Sequence, residues 1–284
     1  MQLGTEAVRI ERRILLRKTV QYVTARQNED GGYTSVQYTD STLYDTYLAL
    51  ETLKMLKVRP PRIDDTISWV KNYNAMNIRD YYLINRIFNI LNQPVVDVSS
   101  MVLELMDSTG RFGAKNVDVE SVSELETTFM CVELMSMLNL KQNREKIVDF
   151  VFSLKNPDGG FGAAESSLNS TFYALKTLSA LNHPVEENVD TLRFVRLHEN
   201  PEGGFSFKPG AKPSFMEPTF MGLTCLQLLR GEPLYSEGTI SFILGCQNTN
   251  GGFRRSLEHG ISSFEYTFQA VSSLGMLGLE VEAL

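Results

Sequence analysis

Lys155-Asn156-Pro157-Asp158-Gly159-Gly160-Phe161, followed after a short polar stretch by Ser170-Thr171-Phe172-Tyr173-Ala174-Leu175, is the passage that decides the fold. Its first half recurs as Gln27-Asn28-Glu29-Asp30-Gly31-Gly32-Tyr33, Glu199-Asn200-Pro201-Glu202-Gly203-Gly204-Phe205 and Gln247-Asn248-Thr249-Asn250-Gly251-Gly252-Phe253. A weaker copy is Asp107-Ser108-Thr109-Gly110-Arg111-Phe112-Gly113. Each is a polar turn, a glycine and an aromatic. The first and last Gly-Gly pairs begin at 31 and 251, and five equal steps between them also land near 75, 119, 163 and 207. A sixth unit near Tyr73-Asn74-Ala75-Met76 has therefore lost its glycines. Self-similarity at a fixed period of this length is the signature of a repeat architecture.

The second half of the passage also recurs, as Asp45-Thr46-Tyr47-Leu48, Asp80-Tyr81-Tyr82-Leu83, Thr127-Thr128-Phe129-Met130, Pro218-Thr219-Phe220-Met221 and Tyr266-Thr267-Phe268-Gln269. These runs have helical period, and a second amphipathic helix, such as Arg144 to Leu154 or Glu237 to Cys246, precedes each glycine turn. The expectation is an all-α chain forming one domain over 1–284, in six helical hairpins of about 6–56, 57–92, 93–140, 141–182, 183–230 and 231–284. Glycine closes the second helix of each pair and permits the positive φ of the turn.

Composition narrows the function. The 284 residues are 43% hydrophobic, enough for a large core, and Lys+Arg 27 against Asp+Glu 34 leaves a net charge of −7. Such a chain has no general attraction for phosphate backbones, so nucleic acid is not an expected partner. Glu6, Arg9, Glu11, Arg12, Arg13, Arg17 and Lys18 interrupt the apolar residues up to Arg26, which reads as neither signal peptide nor membrane span. A cytoplasmic location is the default expectation. Cys131, Cys225 and Cys246 stand far apart among apolar neighbours, as reduced core thiols do.

The pattern Q-N-x-D-G-G-F, then S-T-F-Y-A-L-x-x-L-x-x-L, resembles the repeat of protein prenyltransferase β subunits and, more distantly, of terpene and squalene cyclases. The resemblance spans all six units. It implies an α6/α6 toroid whose inner helices begin around the mouth of a central funnel, and a helical-repeat α subunit as partner. The family zinc ligands, an Asp-x-Cys pair and a His, fall on Phe215, Glu217 and Tyr266, so no zinc is expected here, whereas magnesium is compatible. A family Arg is replaced by Glu126, and a family His falls near Ser167. Phe205 to Pro213 resembles, with a one-residue length difference, the segment whose cations hold the isoprenoid diphosphate. That resemblance makes Lys208 and Lys212 diphosphate ligands, joined across the mouth by Arg254 and Arg255. The other reading of these four is solvated surface charge.

Asp45, Asp80, Glu126, Asn169, Glu217 and Glu265 stand at the starts of the inner helices. Acids in a first turn complement the helix dipole and cap free amides. Five converging on one mouth also repel one another unless a cation or a proton intervenes, which marks Asp45, Asp80 and Glu217 as catalytic candidates. Tyr44, Tyr47, Tyr81, Phe129, Phe172, Phe220 and Tyr266, with Glu126, Asn169 and Glu265, are the expected funnel lining, suited to an isoprenoid tail or a carbocation. No D-x-D-D acid motif of the cyclase type occurs, and Ile63-Asp64-Asp65-Thr66 reads as the start of an outer helix. Three functions follow: an isoprenoid-diphosphate protein of transferase type; a non-catalytic toroid holding a basic peptide, cationic ligand or subunit; or a single-domain cyclase using a lone Asp.

Overall fold

The computed structural model describes residues 16–113, 123–186, 188–258 and 260–281. Six inner helices, α2 (Leu43–Met55), α4 (Ile78–Ile90), α6 (Glu124–Met137), α8 (Leu168–Ala180), α10 (Met216–Leu228) and α12 (Phe264–Met276), alternate along the chain with outer ones. The outer set is α1 (16–24), α3 (Ile63–Lys71), α5 (Ser99–Leu105), α7 (Arg144–Ser153), α9 (Val189–Arg196) and α11 (Ser236–Gly245). Each inner helix packs on the next, and α12 packs on α2. The six inner helices therefore form a closed ring, the α6/α6 toroid that the repeat predicts.

Every letter of the repeated motif has a physical task. In the fourth unit Asp158 Oδ1 accepts from Gly160 N at 3.0 Å and from Ser166 Oγ at 2.7 Å, folding the turn on itself. Asn156 Nδ2 donates to Gly162 O and to Ser166 Oγ, both at 3.1 Å, which ties the turn to the approach of α8. Phe161 is fully buried, and its backbone N–H is satisfied by Thr171 Oγ1 of α8 at 3.0 Å. Thr191 Oγ1 of α9 reaches back to Gly159 O at 2.7 Å. Gly159 itself has φ +89°, and a Cβ there would stand 2.4 Å from the carbonyl oxygen of Asp190 in α9. The turn after one outer helix is thus pressed onto the backbone of the next, and only glycine allows that approach.

The same geometry closes the ring. Gly251, after α11, has φ +90°, and a Cβ on it would lie 2.2 Å from Lys18 O of α1. Thr19 Oγ1 donates to Gly251 O at 2.9 Å, and Gln247 Nε2 donates to Thr19 Oγ1 at 3.0 Å. The weak copy also makes a turn: Asp107 Oδ1 accepts from Thr109 N at 2.8 Å and Phe112 is fully buried. Between α3 and α4, where the glycines are missing, the chain crosses without one. Cys131, Cys225 and Cys246 are free and buried. Among the described residues no helix is long and apolar enough to cross a membrane.

Candidate functional site

Five of the six inner helices begin at N-caps whose side chains accept the N–H three residues on: Thr42 from Asp45, Asn77 from Asp80, Ser123 from Glu126, Ser167 from Ser170 and Ser263 from Tyr266, whereas α10 begins at Phe215 without one. This places the first turns of the inner helices around one mouth. The residue two past the cap then faces the lumen in α2, α4 and α12, which supply Tyr44, Arg79 and Glu265 to the cavity wall.

Asp45 and Asp80 stand one position further on and do not line that cavity. Asp45 Oδ2 accepts from Ser35 N at 2.9 Å and Ser35 Oγ at 3.2 Å, and Asp80 Oδ2 accepts from Met76 N at 2.9 Å. Both carboxylates are engaged with the loop that enters their own helix. Burial raises the Asp45 pKa, and the two Ser35 bonds oppose that rise. Tyr81, Asn169 and Tyr266 also stand outside the lining; each is half-buried. For Tyr81 the reason is register. One residue is about 100° of helix, so its neighbour Tyr82 takes the lumen position.

The cavity is about 160 Å³ and has three levels. At the mouth, Arg79 lies over the Tyr44 ring at 5.5 Å and acts electrostatically on both Glu126 and Glu265. Glu126 is hydrogen-bonded by the Tyr173 hydroxyl and Glu265 by that of Tyr44. Burial raises both carboxyl pKa values, and for Glu265 the neighbouring Glu217 raises it further. Glu217 Oε1 accepts from Arg255 Nε at 2.8 Å, while its Oε2 is buried without a partner. Arg255 lies over Phe215 at 4.7 Å and Phe207 at 5.6 Å.

Below the mouth, aromatic contacts run around most of the lumen. Tyr82 meets Phe129 at 6.3 Å, Phe129 meets Tyr173 at 5.9 Å, Tyr173 meets Phe172 at 5.0 Å, Phe172 meets Phe220 at 5.7 Å and Phe220 meets Phe268 at 5.5 Å. Tyr47 completes the wall on α2. At the floor, Lys176 of α8 lies with Nζ 4.1 Å from the Phe129 ring centroid and 5.3 Å from that of Phe172. Beside it Arg86 bridges Glu51, at 2.8 Å, and Glu133.

The four cations expected to gather at the mouth have different surroundings. Lys208 is exposed, and Lys212 is exposed and ion-paired with Glu202. Arg254 is consumed by structure: it donates to Ser256 O, Asn248 Oδ1, Gly245 O and Leu257 O at 2.8–3.0 Å. Arg255 alone of the four interacts with the mouth acids. Sequence reasoning passed over Arg79, Lys176 and Arg86, and saw Tyr173 and Phe268 only as part of the aromatic stripe on the inner helices. Arg79 had a usable signal, since it stands two past Asn77 as Glu265 stands two past Ser263.

The residues at the family's zinc positions do not suit that metal. Phe215 has no donor atom and packs under Arg255, Glu217 is already ion-paired, and Tyr266 is a phenol whose pKa is raised by burial. A zinc site needs three or four converging N, S or O ligands. Among the described residues no group of three His, Cys, Asp or Glu side chains converges.

The family profile of the prenyltransferase alpha-alpha toroid domain matches residues 5–77, 78–236 and 219–284. Protein geranylgeranyltransferase-I of Candida albicans, solved with GGPP, is 17% identical with a TM-score of 0.70, covering 92% of this chain and 90% of its own. A variant of the type II terpene cyclase MstE from Scytonema, in complex with merosterolic acid A, is 12% identical with a TM-score of 0.60, over 95% and 97%. The ent-copalyl diphosphate synthase of Streptomyces platensis is 12% identical with a TM-score of 0.57, over 84% of this chain and 50% of the synthase. At these identities the solved structures establish the shared fold. The profile match establishes that the chain belongs to the prenyltransferase alpha-alpha toroid family.

Proposed function

We propose that the funnel of this toroid binds a short-chain prenyl diphosphate, with the hydrocarbon against the aromatic wall and the diphosphate at the mouth. The observation that carries this reading is Arg79, a guanidinium in the cavity wall that makes no ion pair or hydrogen bond among the described residues, set above a lumen ringed by aromatic side chains. A guanidinium fork matches phosphate oxygens bidentately, and aromatic walls bury a prenyl chain by area. Arg255, which would exchange Glu217 for the phosphate, and the exposed Lys208 stand as further phosphate contacts, and magnesium would accompany the diphosphate. Lys212, already paired with Glu202, contributes less. About 160 Å³ is below the roughly 300–1,000 Å³ of pockets for drug-sized ligands, which favours a ten-carbon chain over a twenty-carbon one.

Transfer of the prenyl group is the finer part of the proposal. Its carbon–oxygen bond to diphosphate would break as an acceptor's electron pair forms the new bond, with Arg79 and Arg255 taking the charge that develops on the leaving group. A helical-repeat partner subunit, implied by the β-subunit resemblance, would cover exposed apolar residues on the segments entering the inner helices, such as Tyr38, Met76 and Ile261.

The alternatives have less support. A scaffold for cationic ligands needs unanswered acids, yet Glu217 is ion-paired with Arg255, and Glu126 and Glu265 accept from the Tyr173 and Tyr44 hydroxyls. A cyclase using a lone Asp needs that acid in the lumen and free aromatic faces, whereas Asp45 and Asp80 serve loop amides and Lys176 lies over Phe129 and Phe172. Calorimetric titration with geranyl and geranylgeranyl diphosphate, at two salt concentrations and with and without magnesium, tests the reading. Saturable binding that favours the geranyl chain, weakens with salt and drops roughly tenfold or more in Arg79→Ala is expected. No binding under any of these conditions overturns it.

A further inference from the structure

Lys176 is a cation where a hydrocarbon tail would end. Its stem leaves the middle of α8 and lines the cavity, and its ammonium lies over two ring faces but forms no hydrogen bond or ion pair among the described residues. Cation–π contacts offset part of the cost of burying an ammonium, but they leave its three N–H donors without oxygen acceptors. The charged groups that face it are Glu51 on α2, Arg86 on α4 and Glu133 on α6, with the neutral thiol of Cys225 on α10. Each carboxylate gives one oxygen to Arg86, whose own Nε is buried without an acceptor among the described residues, and acts on Lys176 only through space. The Lys176 ammonium is therefore short of acceptors while the wall around it is apolar.

We infer that this floor is an inner anion site, in which Lys176 takes the carboxylate of a small branched-chain acid whose hydrocarbon lies along Phe129, Phe172 and Phe220. The acid supplies oxygen acceptors to the unused N–H donors, and its chain lies in the cavity of about 160 Å³. The inference rests on the funnel being the ligand cavity, as the reading above does. It does not need a diphosphate at the mouth. Desolvation lowers the lysine pKa to about 8, so a pH range in which the site loses its charge is open to experiment.

The test uses the full chain and two ten-carbon probes that share a tail, geranate and geraniol, with geranyl diphosphate as a third. Wild-type protein at pH 7 is expected to bind geranate roughly tenfold or more tightly than geraniol. Geranate binding should weaken on the order of tenfold or more at pH 9.5, where the ammonium is discharged, while geraniol binding stays level. Lys176→Met, an unbranched apolar replacement in an apolar wall, should remove the preference for the acid. The wild-type comparison of the two probes stands even if that variant misfolds. Equal affinity for geranate and geraniol, or geranate binding that is lost in Arg79→Ala but kept in Lys176→Met, overturns the inner site. Geranate binding through Lys176 without any affinity for geranyl diphosphate leaves the inner site standing and overturns the diphosphate reading alone.

Discussion

Arg86 holds together the charge at the funnel floor. Its guanidinium joins Glu51 at 2.8 Å and Glu133 across two other helices, and all three side chains keep 13–23% of their surface. It also lies 5.4 Å from the Tyr47 ring centroid, so it links α2, α4 and α6 beneath the aromatic wall. Removing one member of such a group strands the others, and two carboxylates in a low-dielectric setting repel one another. Arg86→Met is expected to lower stability by about 3 kcal/mol, the lower end of the range for buried pairs because some solvent reaches the group. Denaturant unfolding at pH 7.5 checks it, and a deficit under about 1 kcal/mol would mean that the group contributes no more than an exposed pair does.

At the scale of the element, the repeating unit is an outer helix, a turn pressed on the next outer helix, and an inner helix whose Thr holds the turn's aromatic. Gly159→Ala places a side chain at positive φ, costing about 1–2 kcal/mol, and drives it into Asp190, where overpacking adds about 1–3 kcal/mol. Gly275→Ala has the opposite sign: the glycine is helical, the nearest atom to an added Cβ is Val281 Cγ2 at 3.8 Å, and a gain of about 0.5–1 kcal/mol is expected. Thermal melts of the two variants measure the contrast, and similar shifts would refute the account of the turn. This unit could be read from sequence because most of its letters do local work: Asn156, Asp158, Phe161 and Thr171 act within one turn and the helix it feeds, while Gly159 serves the packing on α9. The lumen could not be read as fully. Which of Tyr81 and Tyr82 faces it, and whether the acid or its neighbour does, turns on a single residue of register. Asp45 and Asp80 carry the chemistry of an active-site acid and the bonding of a cap, and only the positions of Ser35 and Met76 separate the two. Lys176 has an unremarkable place in an amphipathic pattern until five other helices surround it.

The ring as a whole is only as strong as its weakest seam. In an open solenoid the terminal repeats fray first, because each has one neighbour. Here the ends are joined: α12 packs on α2, and Thr19, Gly251 and Gln247 bind α1 to the sixth turn. Weakness lies instead where the repeat is most degraded. The crossing from α3 to α4 has no glycine turn, and α5, the outer helix that follows, has seven residues, one buried side chain and no side-chain cap. Few buried contacts and a short uncapped helix are what lower the free energy of local opening. Hydrogen exchange followed by mass spectrometry should therefore show peptides from residues 99–113 exchanging well before those from α8, with residues 16–24 protected nearly as well as α12. Exchange that begins in 16–24 and in α12 would mean that the closure between the first and sixth units opens readily in solution. A funnel that opens at that seam would expose Tyr44 and Glu265 on its two sides, and with them the mouth on which ligand binding depends.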